Sequence, residues 1–162
     1  MPPIFVSENF IVEAVEKPLI DRADGGHIAI NPKLRISERQ DLSPRQAIEF
    51  MRLTMIAGEA FRKVMNRRGV DVGRINYQDN GNWGVFKPEG PYFHLHLYGR
   101  AISGKVQKYG EACYFPHRDT HPEFYLSAEP LTSEDVEAIR TEMEGLFRLS
   151  KYADANWFPQ RS

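Results

Sequence analysis

A chain of 162 residues suits one domain with short extensions and is too short for two of ordinary size. Its 21 Lys and Arg against 22 Asp and Glu leave a formal net charge of −1, without the positive excess that holds extended nucleic acid by its phosphates. A hydrophobic fraction of 41% with 12% aromatics supplies a core and keeps the chain out of the disordered class.

In chain order, the β-branched run Phe10–Glu16 reads as a strand. Pro18 and Gly25-Gly26 punctuate a connection to a second strand, His27–Asn31, stopped by Pro32. Two strands so joined suggest an antiparallel hairpin. Ser43, Pro44 and Gln46 form the start signal of a helix, a hydroxyl cap with Gln three residues on. Ala47, Phe50, Leu53, Ala57, Phe61 and Val64 then recur at helical spacing, Glu59 and Lys63 are placed for an ion pair, and Gly69 ends the helix. Arg74–Tyr77 reads as a strand and Asp79–Pro91, rich in Gly and Pro, as a loop. A strand follows over Tyr92–Tyr98. Ser103–Pro130 reads as an ordered loop, and Ser133 opens a last helix with Val136, Ile139, Met143 and Leu146 as its apolar stripe. The tail Asn156–Ser162 carries two aromatics and is expected to pack back on the body. The order argues for an α+β domain.

Three features bear on location. Cys113 is the single cysteine, which fits a reducing compartment. The residues after Met1 lack the basic and apolar regions of a secretion signal, and no apolar run approaches the roughly 20 residues of a membrane helix. A soluble, cytoplasmic protein is expected.

The chemistry concentrates in Tyr92-Phe-His94-Leu-His96-Leu-Tyr98-Gly-Arg100. Strand side chains alternate, so Phe93, Leu95 and Leu97 face the core. The opposite face carries His94 and His96, about 7 Å apart along the strand, flanked by Tyr92 and Tyr98. Imidazoles serve as metal ligands, as acids or bases, or as nucleophiles. Gly99, Arg100, Ala101 and Ile102 add no carboxylate for a metal, whereas Arg100 suits a phosphate.

Here the sequence resembles the histidine-triad family over most of residues 10–100. The resemblance rests on the histidine strand closing in Arg100, on Gly26-His27-Ile-Ala-Ile-Asn-Pro-Lys33, on the long helix between them, and on Asn76 in the preceding strand. It implies the family's fold, an antiparallel sheet of about five strands with one long helix, spanning 1–130. The C-terminal helix and tail, 131–162, would pack on the same domain. It implies a nucleotide-binding phosphohydrolase acting on nucleoside phosphoramidates, nucleotidyl esters or dinucleoside polyphosphates through a nucleotidyl-histidine intermediate. A catalytically weak or inactive nucleotide-binding module of the same fold is the alternative. No cofactor, metal, membrane or extended nucleic acid is expected, and a homodimer is.

The family has three alternating histidines and this strand has two. The distance to Arg100 makes Tyr92 the substituted first position and His94 the nucleophile. The other register makes His96 the nucleophile and Tyr98 the substituted third. By resemblance, His96 stabilises phosphate charge, His27 orients the site, and Asn76, Tyr92, Tyr98 and Arg100 contact substrate. The loop Asn80–Pro91 lacks the family's Gly-Gln-Ser/Thr segment, and Lys87 or Asn82 is left to serve the leaving group. His117 and His121 belong to a loop over the pocket mouth or to plain surface. Tyr109, Tyr114 and Phe115 either stack on a base or pack, Trp83 either covers the site or anchors its loop, and Cys113 is read as a small buried hydrophobe.

Overall fold

The computed structural model describes residues 2–79 and 81–158, apart from the side chain of Asn82. Asn80 and the last four residues of the tail lie outside the described residues. Five strands, β1 (Phe5–Val6), β2 (Phe10–Ala14), β3 (His27–Pro32), β4 (Val72–Gln78) and β5 (Leu95–Ala101), form one antiparallel sheet in the order β1-β2-β3-β5-β4. Helix α1 (Pro44–Arg67) covers one face, and α2 (Ser133–Phe147) packs against α1. A short helix, α3 (Asp154–Trp157), ends the described chain.

The alternation predicted for these strands sorts their faces. Val12, Ile28, Ile30, Leu95 and Leu97 point to α1 and join Leu53, Ile56, Ala57, Phe61 and Val64 in one buried cluster. Each such aliphatic side chain taken from water contributes on the order of 2 kcal/mol. The opposite face carries His27, His96, Tyr98 and Asn76, because His27 and Asn76 both oppose Tyr98 across the ladder.

Helix α1 begins as its start signal predicts. The Ser43 side chain accepts from Gln46 N–H, and Gln46 accepts from Ser43 N–H in return. Lys63 donates to Glu59 at 2.7 Å. Past the helix, Gly69 takes φ +83°, a left-handed conformation that suits glycine. Two arginines at the helix end join it to α2, Arg67 meeting Glu142 and Arg68 meeting Asp135.

Two element boundaries differ from expectation. β2 stops at Ala14, and the histidine strand begins at Leu95 rather than Tyr92. The β3–β5 ladder ends at the Ile30–Leu95 pair, although β3 itself continues to Pro32 against β2. Phe93 N–H donates instead to the carbonyl of Ile36. Tyr92 to His94 lie outside the ladder, yet their burial still alternates, with Phe93 buried between exposed Tyr92 and half-buried His94.

The long segment after β5 is held by side chains that bond its backbone. Asp24 accepts the N–H groups of Lys105, Val106 and Gln107 at 2.7–2.8 Å. Gln107 bonds both ways to the backbone of Tyr114. A 3-10 turn occupies Pro122–Tyr125. The C-terminal part joins the same core through Leu131, Val136, Ile139, Met143, Leu146 and Tyr152. Among the described residues no helix is long and apolar enough to cross a membrane.

Candidate active site

His27 opens β3 and is 2% exposed; His96 lies on the neighbouring strand, and His94 just before that strand. Their rings form a continuous chain whose direction one donor fixes. Leu19 N–H, which can only donate, reaches His27 Nδ1 at 3.1 Å. The neutral ring then carries its proton on Nε2, 2.9 Å from His96 Nδ1. His96 in turn holds its proton on Nε2, 2.9 Å from His94 Nε2. His94 completes the chain by donating from Nδ1 to the Tyr92 carbonyl at 3.0 Å.

Electrostatics agree with neutral inner rings. Burial, reinforced by His96, Arg118 and His94, lowers the His27 pKa well below its usual value. Burial first, then His94, pushes His96 down to about 4. A buried imidazole that spends both nitrogens on neutral partners has nothing to stabilise a second proton.

Stacking fixes the same rings in plane. Tyr92 lies over His94 with centroids 4.5 Å apart, and the Arg35 guanidinium carbon sits 5.0 Å from the centroid of the Tyr92 ring. His96 stacks on Tyr98 at 5.5 Å, and Phe115 closes over Tyr98 at 4.9 Å. Tyr98 is fully buried and its hydroxyl has no partner among the described residues. Burial raises its pKa, so it stays a phenol.

A cavity of about 640 Å³ opens beside the chain. Of the three relay histidines, only His94 lines it. Tyr92, Lys87, Trp83, Phe115 and Cys113 share the wall with Leu19, Arg35, Gln78 and Glu89. The volume falls in the range of small-molecule sites.

Of the residues expected at a substrate, the structure thus gathers His94, Tyr92 and Lys87 at the cavity, with His96 and His27 behind them. It does not bring Arg100 there. Arg100 is 4% exposed and donates to the carbonyls of Lys108 and Glu111 and to Cys113 Sγ, so its guanidinium shapes the loop behind the wall. Tyr98 is buried under Phe115. Asn76 is half-buried on the histidine face, and it does not line the cavity.

Trp83 and Phe115 line the cavity, and Trp83 also packs on His117 at 4.9 Å. His121 is exposed beside Thr120. Tyr114 packs edge-on against Phe124, and Tyr109 lies against Gly73. Cys113 is half-buried at the wall, where burial raises its pKa against the influence of Arg100. Among the described residues no three His, Cys, Asp or Glu side chains are grouped to hold a metal ion.

Two contributors escaped the sequence reading. The Leu19 amide that anchors the relay is a backbone group following Pro18, with no side-chain signature. Arg35 follows β3 in a segment that carried no motif, and its place becomes visible only when loop 89–91 folds over it.

The architecture can be compared with known proteins. No protein-family model and no curated protein matches the sequence. Solved structures do. A hypothetical histidine triad nucleotide-binding protein from Sulfolobus tokodaii superposes with TM-score 0.57 at 14% identity, over 90% of this chain and 85% of that one. The fold is that of histidine-triad proteins. A Zn-bound histidine triad family protein from Mycobacterium smegmatis gives TM-score 0.57 at 19% identity, covering 90% of this chain and 87% of the other. A Hit-like protein involved in cell-cycle regulation from Bartonella henselae gives 0.55 at 13%, covering 88% and 87%. The histidine-triad fold accounts for the five-stranded antiparallel sheet, and the relay sits on the face of that sheet away from α1.

Proposed function

We propose that this protein binds a nucleoside phosphate in the cavity and cleaves it through a covalent nucleotidyl-His94 intermediate. The observation carrying this reading is the directed relay: it leaves Nε2 of His94, the relay histidine that lines the cavity, as an acceptor with an unshared pair. That is the electronic state a nucleophile needs. In the register adopted here, Tyr92 takes the first place of the triad, His94 the middle and His96 the third.

In the resting arrangement His96 Nε2–H rests on that pair. A phosphate oxygen is a stronger acceptor than a neutral imidazole, so an entering anion draws the His96 proton donor to itself. His94 Nε2 is thereby freed to attack phosphorus. The N–P bond forms as the bond to the leaving group breaks, and the leaving group takes the electron pair. The Nδ1–H bond to the Tyr92 carbonyl disperses positive charge on the nucleotidylated ring. Water then attacks the same phosphorus, returning the pair to Nε2 and releasing the nucleotide. His27 is a positioning residue, keeping His96 in the tautomer that donates. Trp83 and Phe115 offer stacking surface for a base, and Lys87 stands ready to meet charge on the leaving group.

The experiment is turnover on a panel of an adenosine phosphoramidate, a nucleotidyl ester and a dinucleoside polyphosphate. The parent should release mononucleotide, and His94→Ala should lose at least about a thousandfold in kcat, the scale of removing a nucleophile. Saturable mononucleotide binding by a folded parent that turns over none of the panel would instead favour the catalytically inactive module. The homodimer belongs to this proposal as well: Ile48 and Met51 of α1 and Tyr77 of edge strand β4 are exposed large apolar side chains. Sedimentation of the parent should show two copies. A cytoplasmic setting is proposed on the single cysteine.

A further inference from the structure

We propose that Arg35, with Lys87, forms an anion subsite that makes the enzyme select nucleotides whose leaving group is itself negatively charged. This rests on the phosphoryl chemistry proposed for His94 and names the substrate class it serves.

Arg35 is exposed, yet it is held more firmly than an ordinary surface arginine. Its Nη2 donates to three successive carbonyls, those of Glu89 and Gly90 at 2.7 Å and of Pro91 at 3.2 Å. Its plane lies over the Tyr92 ring. One edge of the guanidinium is committed to the loop, while Nε and Nη1 have no partner among the described residues. Arg35 also lines the cavity, as does Lys87, whose ammonium makes no hydrogen bond or ion pair among the described residues. With Glu89, the wall carries two cationic side chains and one carboxylate.

Position links this cation to the reaction. Arg35 and His94 both pack on the Tyr92 ring, so the guanidinium lies no farther from His94 than the sum of those two separations. A group departing from a phosphorus attacked by His94 leaves within the cavity that Arg35 and Lys87 also line. Arginine's planar fork with free donors suits a phosphate oxygen. The two candidate leaving groups ask for different help. A nucleoside polyphosphate leaves as an anion, taking the electron pair of the broken P–O bond without needing a proton, and fixed cations stabilise that charge. An amine leaving from a phosphoramidate must gain a proton, and a fixed cation opposes that.

The test uses the full chain and two adenylates sharing one phosphoryl group, diadenosine tetraphosphate and an adenosine 5′-phosphoramidate. Arg35→Ala should lower kcat/KM on the tetraphosphate by at least about tenfold more than on the phosphoramidate, the scale of a lost charge-assisted hydrogen bond, and Arg35→Lys should recover part of the difference. Equal losses on both substrates would show that Arg35 merely holds the loop and the Tyr92 stack, and would overturn the proposal. So would no loss on the tetraphosphate. Calorimetry with inorganic tripolyphosphate separates this inference from the reading beneath it. The parent should bind it, and Arg35→Ala at least about tenfold more weakly, whether or not any nucleotide turns over. A folded parent that fails to bind tripolyphosphate contradicts the subsite even if phosphoramidate hydrolysis is found.

Discussion

His96 holds the relay together by using both ring nitrogens on other histidines, and this makes its protonation state a structural matter. Burial and His94 push its pKa from 6.5 to about 4, and His27 is shifted in the same direction. The folded protein then binds fewer protons than the unfolded chain between those values, so stability rises with pH there. Their contribution is complete above the unfolded pKa and is lost as pH falls towards the folded one. Acidification from about pH 7 to about pH 5 should lower the unfolding free energy by about 1–2 kcal/mol through His96 alone, seen as a falling Tm. A His96→Phe variant should show a shallower slope over that range. A second prediction concerns Tyr92, whose carbonyl rather than hydroxyl receives the relay. Tyr92→Phe keeps carbonyl and stack and should change kcat less than about threefold, whereas Tyr92→Ala frees the His94 ring and should lower it at least about tenfold, a difference steady-state kinetics resolves. The three relay histidines were legible because strand alternation and the Gly26-His27 motif mark them. Arg35 was not, because what organises it is a set of backbone carbonyls more than fifty residues away.

Close backbone contact sets the placement of β3 and β5 around the relay. Gly99 N–H donates to the Gly26 carbonyl, and a Cβ built on Gly99 would lie 2.1 Å from the Gly25 carbonyl oxygen. Gly25 faces the same obstacle in reverse at φ +131°, a conformation that L side chains rarely adopt. Gly99→Ala should therefore destabilise the fold by about 3 kcal/mol in chemical denaturation, since the obstructing atom is backbone and cannot rotate away. Asp24 matters to the loop as Gly99 does to the strand. Asp24→Ala strands three backbone donors and should make the 103–115 segment the first site of cleavage in limited proteolysis. Helix α1 and its cap could be read from sequence because local chemistry decides them. The true start of β5 could not, because Phe93 leaves the ladder for the distant carbonyl of Ile36. The hold of Asp24 and Arg100 on the loop after β5 was equally invisible, both being long-range side-chain contacts to backbone.

At the scale of the molecule, the C-terminal helix is tied both to the β2–β3 connection and to the end of α1. Asp135 is fully buried; burial pushes its pKa up, but hydrogen bonds from Arg22, the Thr132 backbone and Arg68 win and hold it below the usual carboxylate range. We propose that 1–130 and 131–162 unfold as one unit, and denaturation followed by far-UV and near-UV signals should give coincident transitions. The α+β fold with its long helix was legible because hydrophobic periodicity and the motif order agree. The cavity was not, because its walls come from separate loops. What this arrangement serves is a single nucleophilic nitrogen, so the decisive measurement is the site of the covalent intermediate. Reaction with a slowly hydrolysed adenylate, quenched in base to preserve the P–N bond and mapped by peptide mass spectrometry, should place the nucleotidyl group on His94 and leave His94→Ala unlabelled. A nucleotidyl group on His96, or undiminished turnover by His94→Ala, would contradict the account.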